Sequence, residues 1–447
     1  MRRELHPSKN FGGTITVPGD KSIAHRAALL SVLAESDITI LKFPRCDDCH
    51  ISLKAVEHLG VNVTRSGNEL VLSPPESLAV SDDTILNCGN SATTARLLSG
   101  IVAGLDVTAT LSGDESLSKR PMQRIIDPLS EMGAEFFSEN GHLPVRISGG
   151  KLFPFDYQLP VPSAQVKSAL LLAGLASSSG VTLRETIVTR DHTERMIETL
   201  GRGVSVRDVK AVAVPDPVDP RKKKMKMPEP FRREITLSSQ AKIVGGIVDV
   251  PGDISTATFF MVGAAVSGKN ITIVDVGLNP TRTAILDHLR AAGCSVVVSD
   301  KRTVSGELRG TVKIEGGELK PRKIHGETTA SLIDEIPAIA VMAAFTEGTT
   351  VIRDAAELRL KESDRLETIT ENLKLMGVKC GVLEDGLAIE GGKELAGADF
   401  RSYGDHRIAM AFSIASLFLV GPSSIDDASV VRISCPEFYD ILKKVTA

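Results

Sequence analysis

A helix-length segment that ends at a glycine and leads into a strand-like segment recurs along this chain. Each copy starts with polar or charged residues, continues as an amphipathic helix and reaches a Leu, Met or Ala near the glycine. In 365-RLETITENLKLM-376 the apolar positions 366, 369, 373 and 376 fall on one helical face. We expect the glycine of each copy to end its helix in a left-handed conformation. These glycines are Gly60, Gly133, Gly201, Gly293 and Gly377.

Strand-like runs separate these units, for example 38-ITILKF, 107-VTATLSG, 271-ITIVDV and 349-TTVIRD. Alternation of strands and helices predicts an α/β or α+β fold. Successive unit glycines are too far apart for a solenoid, so each copy should be a compact subdomain. The tripeptide PGD occurs at 18 and again at 251, and it divides the chain into comparable halves. We therefore predict two globular domains of similar build, with a chain crossing near each PGD.

The composition narrows the class of function. The chain has 447 residues and a net charge of -4, with no Trp and 3 Tyr. These values argue against a general nucleic-acid surface and against aromatic stacking platforms for single strands. No apolar run approaches the roughly 20 residues that cross a bilayer, and the first residues lack a signal-peptide core. Six scattered cysteines favour a reducing compartment over a disulfide framework, so we expect a cytoplasmic protein without a membrane segment.

Three local motifs have competing interpretations. The run 18-PGDKS resembles a phosphate-binding loop, but Asp20 stands between Gly19 and Lys21, so the ATP-binding pattern is not met. A basic residue and a hydroxyl at a helix start suit an anion, whereas Ser22 could simply cap the helix. The run 46-CDDCH matches a haem-attachment pattern, and a helix start is the favoured interpretation over haem or zinc. Residues 205–235, with 221-RKKKMK, predict an exposed loop or extended hairpin, and a basic recruitment patch is the less favoured alternative.

Basic residues at the starts of the repeat helices form the most informative set. A cation there opposes the helix dipole, so several of them together suggest compensation by bound anions. With Lys21, Arg26 and Arg407 they supply enough charge for a substrate with several anionic groups. Asp334 and Glu362 lie among them in sequence and are candidates for acid–base chemistry. The cations at helix starts are Arg120, Arg190, Arg282, Lys361 and Arg365.

Eight segments, taken in order, resemble the 5-enolpyruvylshikimate-3-phosphate (EPSP) synthase family from about residue 10 to the C-terminus. That resemblance implies transfer of the enolpyruvyl group of phosphoenolpyruvate to the 5-hydroxyl of shikimate 3-phosphate, with release of phosphate and without a metal or organic cofactor. It implies two domains, each of three β/α units in an inside-out barrel with the active site in the cleft, and a degenerate sixth unit near 405-DHRIAMAFSIASLFL. We expect domains of 1–21 plus 251–447 and of 22–250, in a monomer. The segments are 18-PGDKSIAHRA, 89-GNSATTARLLSG, 118-SKRPM, 161-VPSAQVKSALLLAGL, 190-RDHTERM, 334-DEIPAIAVMAAF, 361-KESDRL and 403-YGDHRIAM.

The resemblance also implies roles for individual residues. Asp334 would take the proton of the 5-hydroxyl, and Glu362 with Lys21 would handle the proton at the methylene carbon. The residues implied to bind shikimate 3-phosphate are Lys21, Ser22, Arg26, Ser163, Ala164, Gln165, Arg190, Asp334 and Lys361. Those implied to bind phosphoenolpyruvate are Lys21, Ala92, Arg120, Gln165, Arg365 and Arg407.

Two positions resemble the glyphosate-tolerant branch of that family. Ala92 stands where many relatives carry glycine, and its methyl group should narrow the phosphoenolpyruvate pocket against glyphosate. Ile433 stands where the sensitive branch carries an additional lysine. Two rival functions remain open from the sequence: the related enolpyruvyl transferase acting on a UDP-sugar (UDP-N-acetylglucosamine), and a non-catalytic anion-binding protein on the same scaffold.

Overall fold

The computed structural model describes residues 1–67, 69–81, 84–210, 212–215, 223–226, 230–392 and 394–447. Helices and strands alternate throughout, which confirms the predicted α/β class. The strands are β1 (Arg3–Leu5), β2 (Gly13–Ile15), β3 (Ile38–Leu41), β4 (Asn62–Ser66), β5 (Glu69–Ser73), β6 (Ile85–Asn87), β7 (Thr108–Ser112), β8 (Glu135–Glu139), β9 (His142–Ser148), β10 (Phe155–Gln158), β11 (Val181–Glu185), β12 (Gly201–Asp208), β13 (Val212–Pro215), β14 (Lys223–Lys226), β15 (Arg233–Ile243), β16 (Gly246–Asp249), β17 (Asn270–Gly277), β18 (Ser295–Val304), β19 (Glu307–Glu315), β20 (Lys323–Ile324), β21 (Gly348–Ile352), β22 (Lys379–Leu383), β23 (Gly386–Gly391), β24 (Asp399–Phe400) and β25 (Ser423–Ile425). The helices are α1 (Lys21–Leu30), α2 (Asp47–His58), α3 (Ala92–Gly104), α4 (Glu115–Ser118), α5 (Gln123–Glu131), α6 (Ala164–Ser177), α7 (His192–Leu200), α8 (Ile254–Ser267), α9 (Ala284–Ala291), α10 (Glu327–Leu332), α11 (Ile336–Ala344), α12 (Arg365–Leu375), α13 (His406–Ser416) and α14 (Phe438–Thr446).

The chain forms two compact units. Unit 1 comprises Met1–Ala24, Ile40–His50 and Asp249–Ala447, and unit 2 comprises His25–Thr39 and Ile51–Val248. The domain boundaries expected at the two PGD repeats stay a prediction. Within the parts of the chain that the structure describes, no helix is long and apolar enough to span a bilayer.

Each unit contains three main sheets that share one local pattern. In unit 1, β2 and β17 pair in parallel, and β19 then pairs antiparallel with both β17 and β18. The sheet β20-β21-β23-β22 repeats this order, and the third sheet, β1-β25-β24, has only three strands. Unit 2 contains β6-β7-β9-β8, β10-β11-β15-β12 and, apart from the ends of β3 and β16, the sheet β16-β3-β5-β4. The expected design of three units in each half is confirmed, and the degenerate sixth unit is the three-stranded one.

The helices beneath these sheets are buried around most of their circumference. All nine residues of α11 are buried, and so are ten of the eleven residues of α13. Such helices lack a polar stripe because no side of them faces water. Helix α12 is different, because Glu367, Glu371 and Lys374 are exposed. Its apolar residues at 366, 369 and 373, and residue 376 directly after its end, are fully buried as predicted.

The expected glycine ends are present in four of the five repeat helices. Gly60, Gly133, Gly293 and Gly377 have positive φ angles between 92° and 111°. The prediction is wrong for Gly201, whose φ of -162° is ordinary extended backbone at the start of β12. A Cβ there would lie 1.9 Å from the Lys242 carbonyl oxygen, so close packing of two strands is what requires glycine at this position.

The two PGD turns face each other within unit 1. Gly19 and Gly252 form an antiparallel bridge. The Asp20 N–H donates to the Pro251 carbonyl at 2.8 Å, and the Asp253 N–H donates to the Pro18 carbonyl at 2.9 Å. Each aspartate then caps the helix that follows it, α1 or α8. The α1 cap is thus supplied by Asp20, rather than by Ser22 as the simpler interpretation held.

Residues 205–235 contain the predicted hairpin. The strands β13 and β14 pair antiparallel, with Val212 opposite Lys226. The first two residues of 221-RKKKMK lie outside the described residues, so the alternative of a basic recruitment patch stays a prediction.

Candidate active site

The candidate residues divide between the two units, and α1 carries candidates of both. Those in unit 1 are Lys21, Ser22, Asp334, Lys361, Glu362, Arg365 and Arg407. Those in unit 2 are Arg26, Ala92, Arg120, Ser163, Ala164, Gln165 and Arg190.

In unit 1 the Asp334 carboxylate lies among three cations. Its oxygens are 3.6 Å from Arg365 Nη1, 3.9 Å from Arg407 Nη2 and 4.0 Å from Lys361 Nζ. Arg407 Nη1 also donates to the Asp334 backbone carbonyl at 2.9 Å. Residues that the sequence places in three separate motifs therefore meet around one carboxylate, as expected for an acid–base group beside anion-binding cations.

Arg365, the first residue of α12, is the buried centre of this cluster. Its Nε and Nη2 atoms bind the two carboxylate oxygens of Asp405 at 2.7 and 3.2 Å. The same Nη2 binds the Glu362 carboxylate at 2.6 Å. Burial opposes the positive charge of Arg365, but Asp405 and Glu362 outweigh burial and hold its pKa above the ordinary value. The guanidinium is thus a fixed cation, and it fixes Glu362 beside Asp334.

Lys21, the first residue of α1, forms a second ion pair in unit 1. Its ammonium lies 2.6 Å from a carboxylate oxygen of Asp48, and both side chains are largely buried. Burial alone would lower the pKa of Lys21, yet Asp48, with a smaller contribution from Cys46, holds that pKa well above its usual range. The sequence had suggested Asp48 only as part of a helix start. Its pairing with Lys21 depends on a contact between separate helices that no local pattern reports.

His406 is a further buried polar group of this region. It opens α13, is 1% exposed, and neither ring nitrogen has a hydrogen-bond partner among the described residues. Burial, and then the positive charges of Lys21, Arg407 and Arg365, lower its pKa well below the ordinary value. The ring is therefore neutral at pH 7. The motif 403-YGDHRIAM contains His406, but nothing in its spacing distinguished it from the neighbouring core residues.

In unit 2 the guanidinium of Arg26 is oriented by two hydroxyl groups. Arg26 Nε donates to Thr193 Oγ1 at 2.7 Å, and Nη2 donates to Ser168 Oγ at 2.9 Å. The two hydroxyls are themselves 2.7 Å apart. Arg26 is only 3% exposed, so its orientation is set by these contacts rather than by solvent.

A second group in unit 2 connects α3 with the start of α6. Gln165 accepts a hydrogen bond from Arg96 Nη1 at 2.6 Å and donates to Thr93 Oγ1 at 3.1 Å. Two positions earlier, Ser163 caps α6 through the Val166 N–H. These bonds fix the first turn of α6, which starts at Ala164, and the N-terminus of a helix is a favourable place for an anion. Arg96 was not among the predicted site residues, although 89-GNSATTARLLSG contains it.

The start of α3 also positions Arg120. Asn90 accepts a hydrogen bond from Arg120 Nη2 at 3.0 Å. Ala92 is half-buried at the first position of α3, between Asn90 and the Thr93 that bonds to Gln165. Arg190 is half-buried just before α7. Ile433, half-buried, ends a short 3-10 helix in unit 1.

The structure gives the CDDCH run no metal-binding arrangement. Cys46 and Cys49 are fully buried beside Ala24, and the His50 Nδ1 atom lies 3.0 Å from the Cys46 carbonyl oxygen. Within the described ranges, His, Cys, Asp and Glu side chains form no cluster of three that could hold a metal ion.

Comparison with known proteins agrees with this geometry. The family model described as EPSP synthase (3-phosphoshikimate 1-carboxyvinyltransferase) matches residues 5–228 and 229–442. The chain belongs to the EPSP synthase family. A 3-phosphoshikimate 1-carboxyvinyltransferase of Desulforamulus reducens is 40% identical over 100% of this chain and 99% of that protein. Its counterpart in Anaeromyxobacter sp. (strain K) is 43% identical over 97% of this chain and 94% of that protein.

A solved structure leads to the same family. The EPSP synthase of Acinetobacter baumannii is 37% identical and aligns with a TM-score of 0.82, covering 99% of this chain and 98% of that one. As an EPSP synthase the chain is a transferase of the shikimate pathway, the route to aromatic amino acids. The comparisons therefore favour this family over the UDP-sugar enzyme and over a non-catalytic binding protein.

Proposed function

We propose that this EPSP synthase transfers the enolpyruvyl group of phosphoenolpyruvate to the 5-hydroxyl of shikimate 3-phosphate through the residues described above. The observation that supports this most is the meeting of Asp334, Glu362 and three cations in unit 1. Adding an alcohol to an enol ester of phosphate needs a base at the hydroxyl and an acid at the methylene carbon. Two carboxylates beside fixed cations meet both needs.

Asp334 is proposed to accept the proton of the 5-hydroxyl. The cations near it, Arg365 and Arg407, are proposed to bind the carboxylate and phosphate of phosphoenolpyruvate, together with Arg120 of unit 2. Binding of those anions would place negative charge near Asp334 and so favour protonation of its carboxylate. The base would thus become stronger when the substrate arrives.

Glu362 and Lys21 are proposed to deliver a proton to the methylene carbon and later to remove it. Addition of the hydroxyl gives a tetrahedral intermediate, and loss of phosphate with that proton restores the carbon–carbon double bond. The intermediate keeps both anionic groups of phosphoenolpyruvate, so cations held in place by carboxylates stabilise it without reorganising. Asp405 and Asp48 supply that restraint for Arg365 and Lys21.

Shikimate 3-phosphate is proposed to bind to residues of both units. In unit 2 these are Arg26, the capped start of α6 and Arg190. The specific positions are Ser163, Ala164 and Gln165, and unit 1 would add Lys21, Ser22 and Lys361. We also propose that the chain acts as a cytoplasmic monomer. Light scattering after size-exclusion chromatography tests the oligomeric state.

The test of the proposed roles is phosphate release from phosphoenolpyruvate that depends on shikimate 3-phosphate. Asp334→Ala should lower kcat by about a thousandfold or more, while calorimetry still detects shikimate 3-phosphate binding. Asp399→Asn is the matched control, because Asp399 is an exposed carboxylate of unit 1 paired with Arg2. Turnover of Asp334→Ala close to that of the control would refute the assignment of the base.

A further inference from the structure

Arg282 is a buried arginine that none of the proposed substrate contacts uses. It is 4% exposed and lies just before α9. Its Nη1 atom is 3.1 Å from Asp20, and its Nη2 atom is 3.4 Å from Asp253 and donates to Ser255 Oγ at 2.7 Å. Burial opposes its charge, but the two aspartates outweigh burial and hold the pKa of Arg282 above the ordinary value. One guanidinium therefore joins both PGD turns of unit 1.

The first branch of this network reaches Lys21. The Asp20 carboxylate that binds Arg282 also accepts the Ser22 and Ile23 N–H groups, at 2.8 and 3.2 Å. Those bonds fix the first turn of α1, and Lys21 is the first residue of that turn. Any displacement of Asp20 therefore moves the backbone from which the Lys21 ammonium projects.

The second branch reaches Asp334. Ser255 accepts from Arg282 and donates its own proton to the Glu335 carboxylate. Glu335 is 2% exposed and directly follows Asp334 in the chain, at the position that precedes α11. Glu335 is the N-cap residue of α11, and its carbonyl accepts the Ile339 N–H at 3.0 Å. The bond from Ser255 therefore restrains the residue that is covalently joined to Asp334.

We propose that Arg282 is a positioning residue that fixes the positions of Lys21 and Asp334 relative to each other within unit 1. This proposal rests on the roles proposed above for those two residues. Arg282 bonds to the residue before Lys21, and through Ser255 to the residue after Asp334. A planar guanidinium suits this task because its fork reaches three acceptors in fixed directions, whereas a lysine ammonium is a single flexible point charge.

The test compares Arg282→Gln with Arg309→Gln. Arg309 is a matched control because it is also a fully buried arginine of unit 1 between two carboxylates, Asp249 and Asp275, at 3.2 and 3.4 Å. Both variants should lower Tm, since each removes a buried guanidinium that pairs with two carboxylates. Arg282→Gln should also lower kcat by about a hundredfold with KM for both substrates nearly unchanged. Arg309→Gln should keep kcat within about threefold of the parent enzyme.

Two milder variants separate the branches and keep the proposal testable if Arg282→Gln does not fold. Ser255→Ala removes the link to Glu335 but leaves the bond between Arg282 and Asp20, and it should lower kcat about tenfold at constant KM. Arg282→Lys should recover part of the kcat lost in Arg282→Gln, because a lysine can reach one of the three acceptors. An unchanged kcat in Ser255→Ala would overturn the Asp334 branch.

Comparison with Asp334→Ala separates failure of this inference from failure of the proposed function. Parent-like kcat in Arg282→Gln, with Asp334→Ala inactive, would overturn the role of Arg282 alone. Equal loss of kcat in Arg282→Gln and Arg309→Gln would also overturn it, since the effect would then follow stability. Normal turnover in Asp334→Ala would instead remove the proposed function on which the inference rests.

Discussion

The ammonium of Lys21 and the carboxylate of Asp48 form an ion pair of 2.6 Å that is largely closed to solvent. Because burial and Arg407 both disfavour the charge on Lys21, the pair is what holds its pKa above the ordinary value. A lysine whose pKa is raised on folding stabilises the protein at pH values below its unfolded pKa. That contribution disappears only as the pH rises through the folded pKa.

Asp48→Asn should therefore lower the pKa of Lys21, since burial then acts with little opposition. If the protonated ammonium is needed, the basic limb of the pH profile of kcat/KM should move to lower pH. Asp47→Asn is the control, because Asp47 is exposed and lies beside Asp48 in the first turn of α2, so both variants remove one negative charge from the same helix N-terminus. Identical basic limbs for both variants would contradict the assignment of Lys21.

Arg365→Lys should damage activity although it keeps the charge. A lysine ammonium cannot bind both carboxylate oxygens of Asp405 and the carboxylate of Glu362 at the same time. We therefore expect kcat/KM for phosphoenolpyruvate to fall by about a hundredfold. Arg353→Lys serves as the control, because Arg353 forms a partly exposed ion pair with Asp385 at 3.0 Å in the same unit. The measurement is initial rate against phosphoenolpyruvate concentration at saturating shikimate 3-phosphate, and comparable kcat/KM for the two variants would contradict this role.

Ala92→Gly should increase sensitivity to glyphosate. In the sequence, Ala92 stands between Asn90, which binds Arg120, and Thr93, which binds Gln165. Removal of the Ala92 methyl group should lower the inhibition constant of glyphosate about tenfold, with a smaller effect on KM for phosphoenolpyruvate. Ala284→Gly is the control, because Ala284 is likewise the half-buried first residue of a helix. From its resemblance to the tolerant branch we expect the parent enzyme to tolerate glyphosate, and strong inhibition of that enzyme at low micromolar glyphosate would refute this expectation.

Lys167→Met should destabilise the protein strongly. The Lys167 ammonium lies 3.1 Å from Glu185 and 2.8 Å from Glu194, and all three side chains are at most 2% exposed. Its loss would leave two buried carboxylates side by side, at a cost of about 3–5 kcal/mol in the free energy of unfolding. Guanidinium denaturation followed by circular dichroism measures this change.

Two further variants make that result interpretable. Lys119→Met removes an exposed ion pair with Glu115 and should leave the denaturation midpoint unchanged. Adding Glu185→Gln and Glu194→Gln to Lys167→Met should recover much of the lost stability, because no buried charge then remains. A persistent loss in the triple variant would point to packing of the lysine chain rather than to charge.

The fold was predictable where local patterns carry the information. The apolar residues of α12 at 366, 369 and 373, and residue 376 directly after its end, are buried because helical periodicity places them on one face. The conformation of Gly201 was mispredicted, because the close approach of a neighbouring strand, and not the end of the preceding helix, requires a glycine at this position. The sequence around residue 201 contains no local pattern that indicates the close approach of Lys242.

The sequence predicted candidate site residues but not the contacts between them. Candidate cations and acids could be identified one by one, but not the carboxylates that hold them. Arg282 and Asp20 are 262 positions apart, and the charge at Arg282 was expected to meet a bound anion. The protein itself supplies those anions as Asp20 and Asp253. Such pairings depend on tertiary packing, which neither spacing nor composition reports.

The sheets of unit 1 impose an order of events during synthesis. β1 pairs with β25, Arg3 opposite Ile425, and β2 pairs with β17. At ribosomal speeds, β1 leaves the ribosome roughly 20 to 80 s before its partner strand is made. We expect unit 2 to reach its native structure during this interval, since all of its residues precede Asp249. Until β17 and β25 have been made, β1 and β2 have unpaired edges. The N-terminal segment is therefore where a nascent chain would most need a chaperone.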